Sequence, residues 1–254
     1  MNSSAEQFKY DVIALNEVDS TNAYLFNLYR NDNNISEFLT VSAGYQFKGR
    51  GQRTSQGWES NRGENLLFSF LIKPRSVAIK DQFIISQMIA LAIKEELDTF
   101  SDGFKIKWPN DIYWHDKKIA GILIETELKG STFDVAIIGV GLNLLQTIFY
   151  GDAPNPISLI QITDKEINQN ELMDNILIRF QSYYKSYNKH QNGLNIYQRY
   201  LKSIYRLKVR ATYNDKNGDF IGRIIGVDKY GFLLLEDDQL SIRKYAFKEV
   251  RYKI

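Results

Sequence analysis

The sequence predicts an α/β protein: a mixed sheet with flanking helices, followed by a small β-barrel. Three patterns carry this expectation. Within 80–100, Phe83, Ile84, Met88, Leu91 and Leu97 recur at helical spacing. Residues 65–73 and 133–140 form short apolar runs of the kind that makes buried strands. From about Leu207 the chain changes to five short alternating runs, near 207–213, 219–227, 231–236, 239–245 and 249–253. Asn217-Gly218, Tyr230-Gly231 and Asp237-Asp238 punctuate them, as turns between short strands do.

Taken in order, Ser20 is the candidate N-cap of a first helix, with Tyr24, Leu25 and Leu28 on one side. Residues 38–45 read as a strand, and 46–63 as a long polar stretch rich in Gly and Arg. The apolar strand 65–73 and the helix 80–100 follow. Residues 105–108 and 112–114 look extended, with a turn at 115–117 and a returning apolar strand from Lys118 to Glu127. A further strand spans 133–140, and the segment Gly139-Val140-Gly141-Leu142-Asn143 reads either as a turn or bulge or as a place where the chain approaches a ligand. Gly151 to Pro156 is a surface loop by its prolines, and 171–187 and 194–203 look helical. A domain boundary near Arg206 is expected, separating 1–205 from 206–254.

Composition narrows the chemistry. The chain has 254 residues, no cysteine and two histidines, His115 and His190, far apart in sequence. Disulfides, thiolate nucleophiles and Cys-containing zinc sites are therefore excluded. Net charge is +2, so there is no basic coat for nucleic acid. The charge is uneven: from Arg206 onward 11 basic residues face 7 acidic ones, while the first 205 residues carry a net −2. No apolar stretch of about 18 residues is present, nor an apolar signal segment near Met1, so a cytoplasmic protein without membrane attachment is expected.

Four segments stand out as carriers of chemistry. Lys48-Gly49-Arg50-Gly51-Gln52-Arg53 packs three cations between glycines, which suits phosphate or carboxylate groups. The Walker spacing is absent. Lys107-Trp108-Pro109-Asn110-Asp111 must bend at Pro109, and Lys118 opens an apolar strand with Ile119, Ala120 and Gly121. Gly139-Val140-Gly141-Leu142-Asn143 follows an apolar run, and Asp19-Ser20-Thr21-Asn22 opens the first helix. Taken singly, each has an ordinary reading: a solvated loop, turn chemistry, a snorkelling strand end, a bulge, an N-cap.

In this order the segments resemble a biotin–protein ligase. Gly49-Arg50-Gly51-Gln52-Arg53, then Lys107-Trp108-Pro109-Asn110-Asp111, then Lys118-Ile119-Ala120-Gly121-Ile122-Leu123 carry the resemblance, which runs from about Val12 to Ile254. It implies a catalytic domain related to class II aminoacyl-tRNA synthetases and an SH3-like C-terminal barrel. It also implies a two-step reaction. Biotin and Mg-ATP give biotinyl-5′-adenylate and pyrophosphate, and a lysine of a biotin carboxyl carrier protein then takes the biotinyl group and releases AMP.

By the same resemblance, Lys118, Arg50 and Asp111 are the catalytic candidates. Lys118 and Arg50 would neutralise charge at the α-phosphate, and Asp111 would orient the acceptor amine or take its proton. Ser20, Thr21 and Gln46 would surround the ureido ring, with Gly49 and Gly121 beside it and Trp108 along the apolar slot. Gly51 and Arg53 belong to the phosphate loop. Asn110 and Asn143 would contact adenine, with Gly139 and Gly141 letting that pocket close. Magnesium is expected with ATP, without named ligands. A homodimer is compatible with the family.

Many relatives carry Arg where Gln52 stands, and Thr54-Ser55 adds length to this loop, so a looser hold on the adenylate is expected. The rival readings are a lipoate or octanoate ligase on the related fold and an inactive carrier-binding adapter. About 11 residues precede Val12, too few for the DNA-binding module of repressor relatives, so no repressor function and no DNA partner are expected.

Overall fold

The computed structural model describes residues 9–32, 34–51, 57–151, 155–190 and 192–254. A mixed seven-stranded sheet is built from β1 (Val12–Leu15), β2 (Thr40–Ala43), β3 (Asn65–Ile72), β4 (Phe104–Lys107), β5 (Asp111–Trp114), β6 (Lys117–Lys129) and β7 (Thr132–Asn143). Their order is β1-β2-β3-β7-β6-β5-β4, with β1 and β2 parallel and the other neighbours antiparallel. Edge strand β1 is the one element of this sheet that sequence patterning did not separate.

Strand β3 explains why its sequence is apolar without alternation. It lies between β2 and β7, and all its residues are buried because helices cover both faces. On one face, α1 (Thr21–Asn31) sets Leu25 and Tyr29 against Val41, Leu71, Val135 and Ile137. On the other, α2 (Phe83–Leu97) and α3 (Gln169–His190) close the main core with Phe68, Phe70, Met88, Leu91, Leu177 and Phe180. Ser20 caps α1 as its position suggests, its side chain accepting from Ala23 N. The last helix, α4, is Leu194–Ser203, the span read from the sequence.

The second sheet is antiparallel: β8 (Arg210–Asp215), β9 (Gly218–Val227), β10 (Leu233–Asp237), β11 (Ile242–Tyr245) and β12 (Arg251–Tyr252), in the order β11-β10-β9-β8-β12. Tyr213, Ile224, Val227, Leu233 and Leu235 fill its interior. It is locked to the first sheet at the bend around Pro109. The Trp108 indole Nε1 donates to Gly231 O at 2.9 Å, and its ring meets Phe247 edge-on. Among the described residues, no helix is long and apolar enough to cross a membrane.

Candidate functional site

A cavity of about 790 Å³ opens where the N-terminus of α1, the Gly-rich loop, the strand ends and the barrel rim meet. Its floor is one face of the sheet, and register decides what that face presents. Leu67 of β3, Gly141 of β7, Gly121 of β6 and Asp111 of β5 lie in one row. Ser69, Gly139 and Leu123 form the next row, and Leu71, Ile137 and Glu125 the one after. Residues 139–143 are thus the last part of a continuous strand, not the turn or bulge expected from their glycines. Glycine is needed because other groups lie on the strand. A Cβ at Gly139 would collide with the Asn22 amide, and one at Gly141 would stand 2.5 Å from Trp58 Cε2.

The floor carries a polar relay. Thr21 N donates to Gln46 Oε1 at 2.7 Å. The Thr21 hydroxyl lies 2.6 Å from Ser69 Oγ, and Ser69 Oγ donates to Asn22 Oδ1 at 2.6 Å. Asn22 Nδ2 donates to Glu125 Oε2 at 2.8 Å. Thr21, Asn22 and Ser69 are all buried, so each donor and acceptor needs such a partner. Ser69 is a hydroxyl inside the apolar run 66–72, and that lone polar residue was the signal that could have marked it.

The charged wall comes from β5 and β6. A β-bulge shifts their register between Ile112 and Tyr113, so Ile112 faces Ala120 and Tyr113 faces Lys118. Lys118 thereby shares the face of Asp111, where simple alternation would place it with Ala120 against the core. Lys118 Nζ is 2.7 Å from Asp111 Oδ1, with side chains 22% and 18% exposed. This pair is screened by solvent far less than a surface pair. Nearby, burial first and then the charge of Asp111 push the Tyr113 phenol up. It stays a neutral hydroxyl and accepts from Lys107 Nζ at 3.1 Å.

Trp58 is the residue that sequence reasoning passed over, although a tryptophan in a polar, Gly-rich stretch was visible. Its indole covers Gly121 and Gly141, and Lys118 Nζ sits 5.6 Å from a ring centroid. Its Nε1 is buried and has no hydrogen-bond partner among the described residues. The backbone of Gly49 pairs with Trp58 N at 2.9 Å, and a Cβ at Gly49 would stand 2.8 Å from Trp58 O. The close approach of Gly49 to the chain at Trp58 is what its missing side chain permits.

Ser20, Thr21, Gln46, Gly49, Arg50, Gly51, Trp108, Asn110, Asp111, Lys118, Gly121, Gly139, Gly141 and Asn143 all line this cavity. Arg53 lies outside the described residues, as do Gln52, Thr54 and Ser55. Two of the candidates have tasks inside the fold. Asn110 Nδ2 donates to Ile122 O at 2.5 Å, and Asn143 Nδ2 to Ile157 O at 3.1 Å. Phe247, Lys248, Arg251 and Tyr252 add a barrel wall that no motif announced. Among the described residues, no group of three His, Cys, Asp or Glu could hold a metal ion.

Comparison with known proteins agrees with this geometry. Residues 15–143 match the model of the Biotin/lipoate A/B protein ligase family. The chain is 32% identical over 240 residues to the bifunctional ligase/repressor BirA of Escherichia coli, covering 89% of this chain and 70% of that protein. It is 30% identical over 217 residues to the BirA of Bacillus subtilis, covering 82% of this chain and 64% of the relative, so it spans under two thirds of that protein. Among solved structures, the biotin protein ligase from Aquifex aeolicus in complex with biotin and ATP superposes with a TM-score of 0.78. The identity is 26%, with 97% of this chain and 100% of that one covered.

Proposed function

We propose a function from one premise: the chain belongs to the biotin/lipoate A/B protein ligase family. It activates biotin with ATP to biotinyl-5′-adenylate and transfers the biotinyl group to a lysine of a biotin carboxyl carrier protein. The observation that carries this reading is the convergence, in one cavity, of a neutral polar relay, a glycine floor and a lysine–aspartate pair. A ureido ring needs donors and acceptors together, which Ser20, Thr21 and Gln46 offer. A ligand lacking that ring would leave buried partners unsatisfied.

In the first step the biotin carboxylate attacks the α-phosphate, and negative charge accumulates between them. Lys118 meets that charge as a compact cation, and Arg50 approaches from the loop. In the second step the acceptor amine must shed a proton, and Asp111 is placed to orient it once Lys118 turns to the phosphate. Magnesium enters with ATP as part of the substrate, and no step is assigned to a protein-held ion. Asn110 and Asn143 keep side-chain oxygens for adenine while their amides hold the fold. This is the work of a biotin–[acetyl-CoA-carboxylase] ligase.

Incubating the purified chain with Mg-ATP and either biotin or lipoate, and measuring pyrophosphate, tests the first step. Release with biotin is expected, and release with lipoate alone would favour the lipoate-ligase reading. Labelling of a recombinant biotin carrier domain tests the second step. Adenylate formation without any labelling would leave only an activating enzyme.

A further inference from the structure

Glu125 follows Gly121 and Leu123 along the slot face of β6, just beyond the cavity wall. One of its oxygens serves two donors. Oε2 accepts from Asn22 Nδ2 at 2.8 Å and from Arg50 Nη2 at 3.1 Å. Asn22 is the end of the relay that runs through Ser69 and Thr21 to Gln46. Arg50 belongs to the Gly-rich loop, whose backbone is tied down by Lys48 N to Asp19 O and by Trp58 N to Gly49 O. Among the described residues, Glu125 is the one acid paired with the Arg50 guanidinium.

We propose that Glu125 is a positioning residue that registers Arg50 against the polar relay of the slot. The proposal rests on the reading that Arg50 meets the nucleotide's phosphates. The loop backbone is held at Gly49 and by the bridge from Arg50 to Gly57, but the long Arg50 side chain keeps several rotatable bonds, so the direction of its guanidinium is set by what it pairs with. A carboxylate accepts only and has room for several donors, which lets one oxygen hold a cation and an amide together. Its side chain is 27% exposed and that of Arg50 50%, so solvent screens the pair in part. The same contact joins the two halves of the proposed substrate site: the biotin-facing relay on one side and the phosphate-facing loop on the other.

Two substitutions separate the two bonds. Glu125→Gln keeps an acceptor for Asn22 and removes the charge that holds Arg50, whereas Glu125→Ala removes both. For E125Q the KM for ATP in biotin-dependent pyrophosphate release is expected to rise about three- to tenfold, as for a partly screened ion pair. Biotin affinity measured without ATP should stay within about twofold, since the neutral acceptor remains. E125A should weaken both. The double variant R50A/E125Q should be no worse for ATP than R50A alone, because the carboxylate acts through the guanidinium.

Additive losses in the double variant, or parallel loss of biotin and ATP binding in E125Q, would overturn the proposal. Absence of biotin activation by the unmodified chain would count against the ligase reading itself. The positioning claim is then decided by trypsin cleavage after Arg50 in the ligand-free chain. E125Q is expected to speed it by about threefold, reflecting the freed side chain, and an unchanged rate would refute the tether.

Discussion

The two faces of strands β6 and β7 are made from the same residues taken alternately, and they do opposite things. One face carries Ile122, Ile138, Val140 and Leu142 and packs into the main core. The other carries Gly121, Gly139 and Gly141 and is left hollow, to be covered by Asn22 and Trp58. Period-two alternation makes this division possible, because a strand can be rigid on one side and open on the other. The difference teaches that the site is defined as much by the side chains it lacks as by those it presents. Rigidity for the hollow comes from the packed side behind it.

The comparison can be tested by substitutions on either face. The largest effect is expected on the hollow side at its charged rim. Lys118→Ala should slow biotin-dependent pyrophosphate release by about a thousandfold, the scale of losing a preorganised charge at a transition state. Near-normal release would remove Lys118 from the proposed chemistry. Gly139→Ala comes next: its methyl must displace the buried Asn22 amide, so biotin affinity should fall at least about tenfold while thermal stability changes less. A calorimetric titration that finds biotin binding unchanged would show that the relay is not part of the site.

On the packed face the expectation reverses. Ile138→Ala should cost about 3 kcal/mol in denaturant unfolding through the cavity it leaves, with kcat/KM per folded molecule nearly unchanged. If activity collapses while stability holds, the two faces are not separable.

The barrel supplies the smallest effect, because Asp215 and Asp237 do not line the hollow. Asp215 is held low chiefly by the hydrogen bond from Tyr245, and Asp237 chiefly by its bond from Arg243. A carboxyl held low in the folded state contributes stability that is present above its unfolded pKa and is lost as pH falls through the folded one. Thermal melts should therefore fall as pH drops below the ordinary carboxylate range. The fall should be shallower in Asp237→Asn, and identical slopes would exclude this contribution.

Much of this was legible from residues alone. Helical spacing marked α2 and α4, a largely apolar run marked β3, and short alternating runs marked the barrel. The motifs named many of the residues that line the cavity, because charge and glycine are visible without coordinates. Other parts were hidden for specific reasons. Strand β1 is only four residues at a sheet edge; Val12–Leu15 is wholly apolar, but so short a run does not tell a strand from the approach to a helix. The glycines at 139 and 141 looked like chain-breakers because their reason lies in Asn22 and Trp58, more than eighty residues away in sequence. Ser69 and Glu125 are polar residues whose partners come from other elements.

By itself the sequence determined which chemistry was available: no thiols, no Cys-containing zinc site, a cationic Gly-rich loop, and a lysine opening an apolar strand. It also determined the alternation that separates a core face from a free one. Only the tertiary structure decided which face each group joins. The bulge between β5 and β6 turned Lys118 toward Asp111, and strand register put Ser69, Gly139 and Leu123 in one row. The reason is physical. Composition and spacing act locally along the chain, whereas register and bulges are settled by pairing with distant strands, and a shift of one residue exchanges the faces.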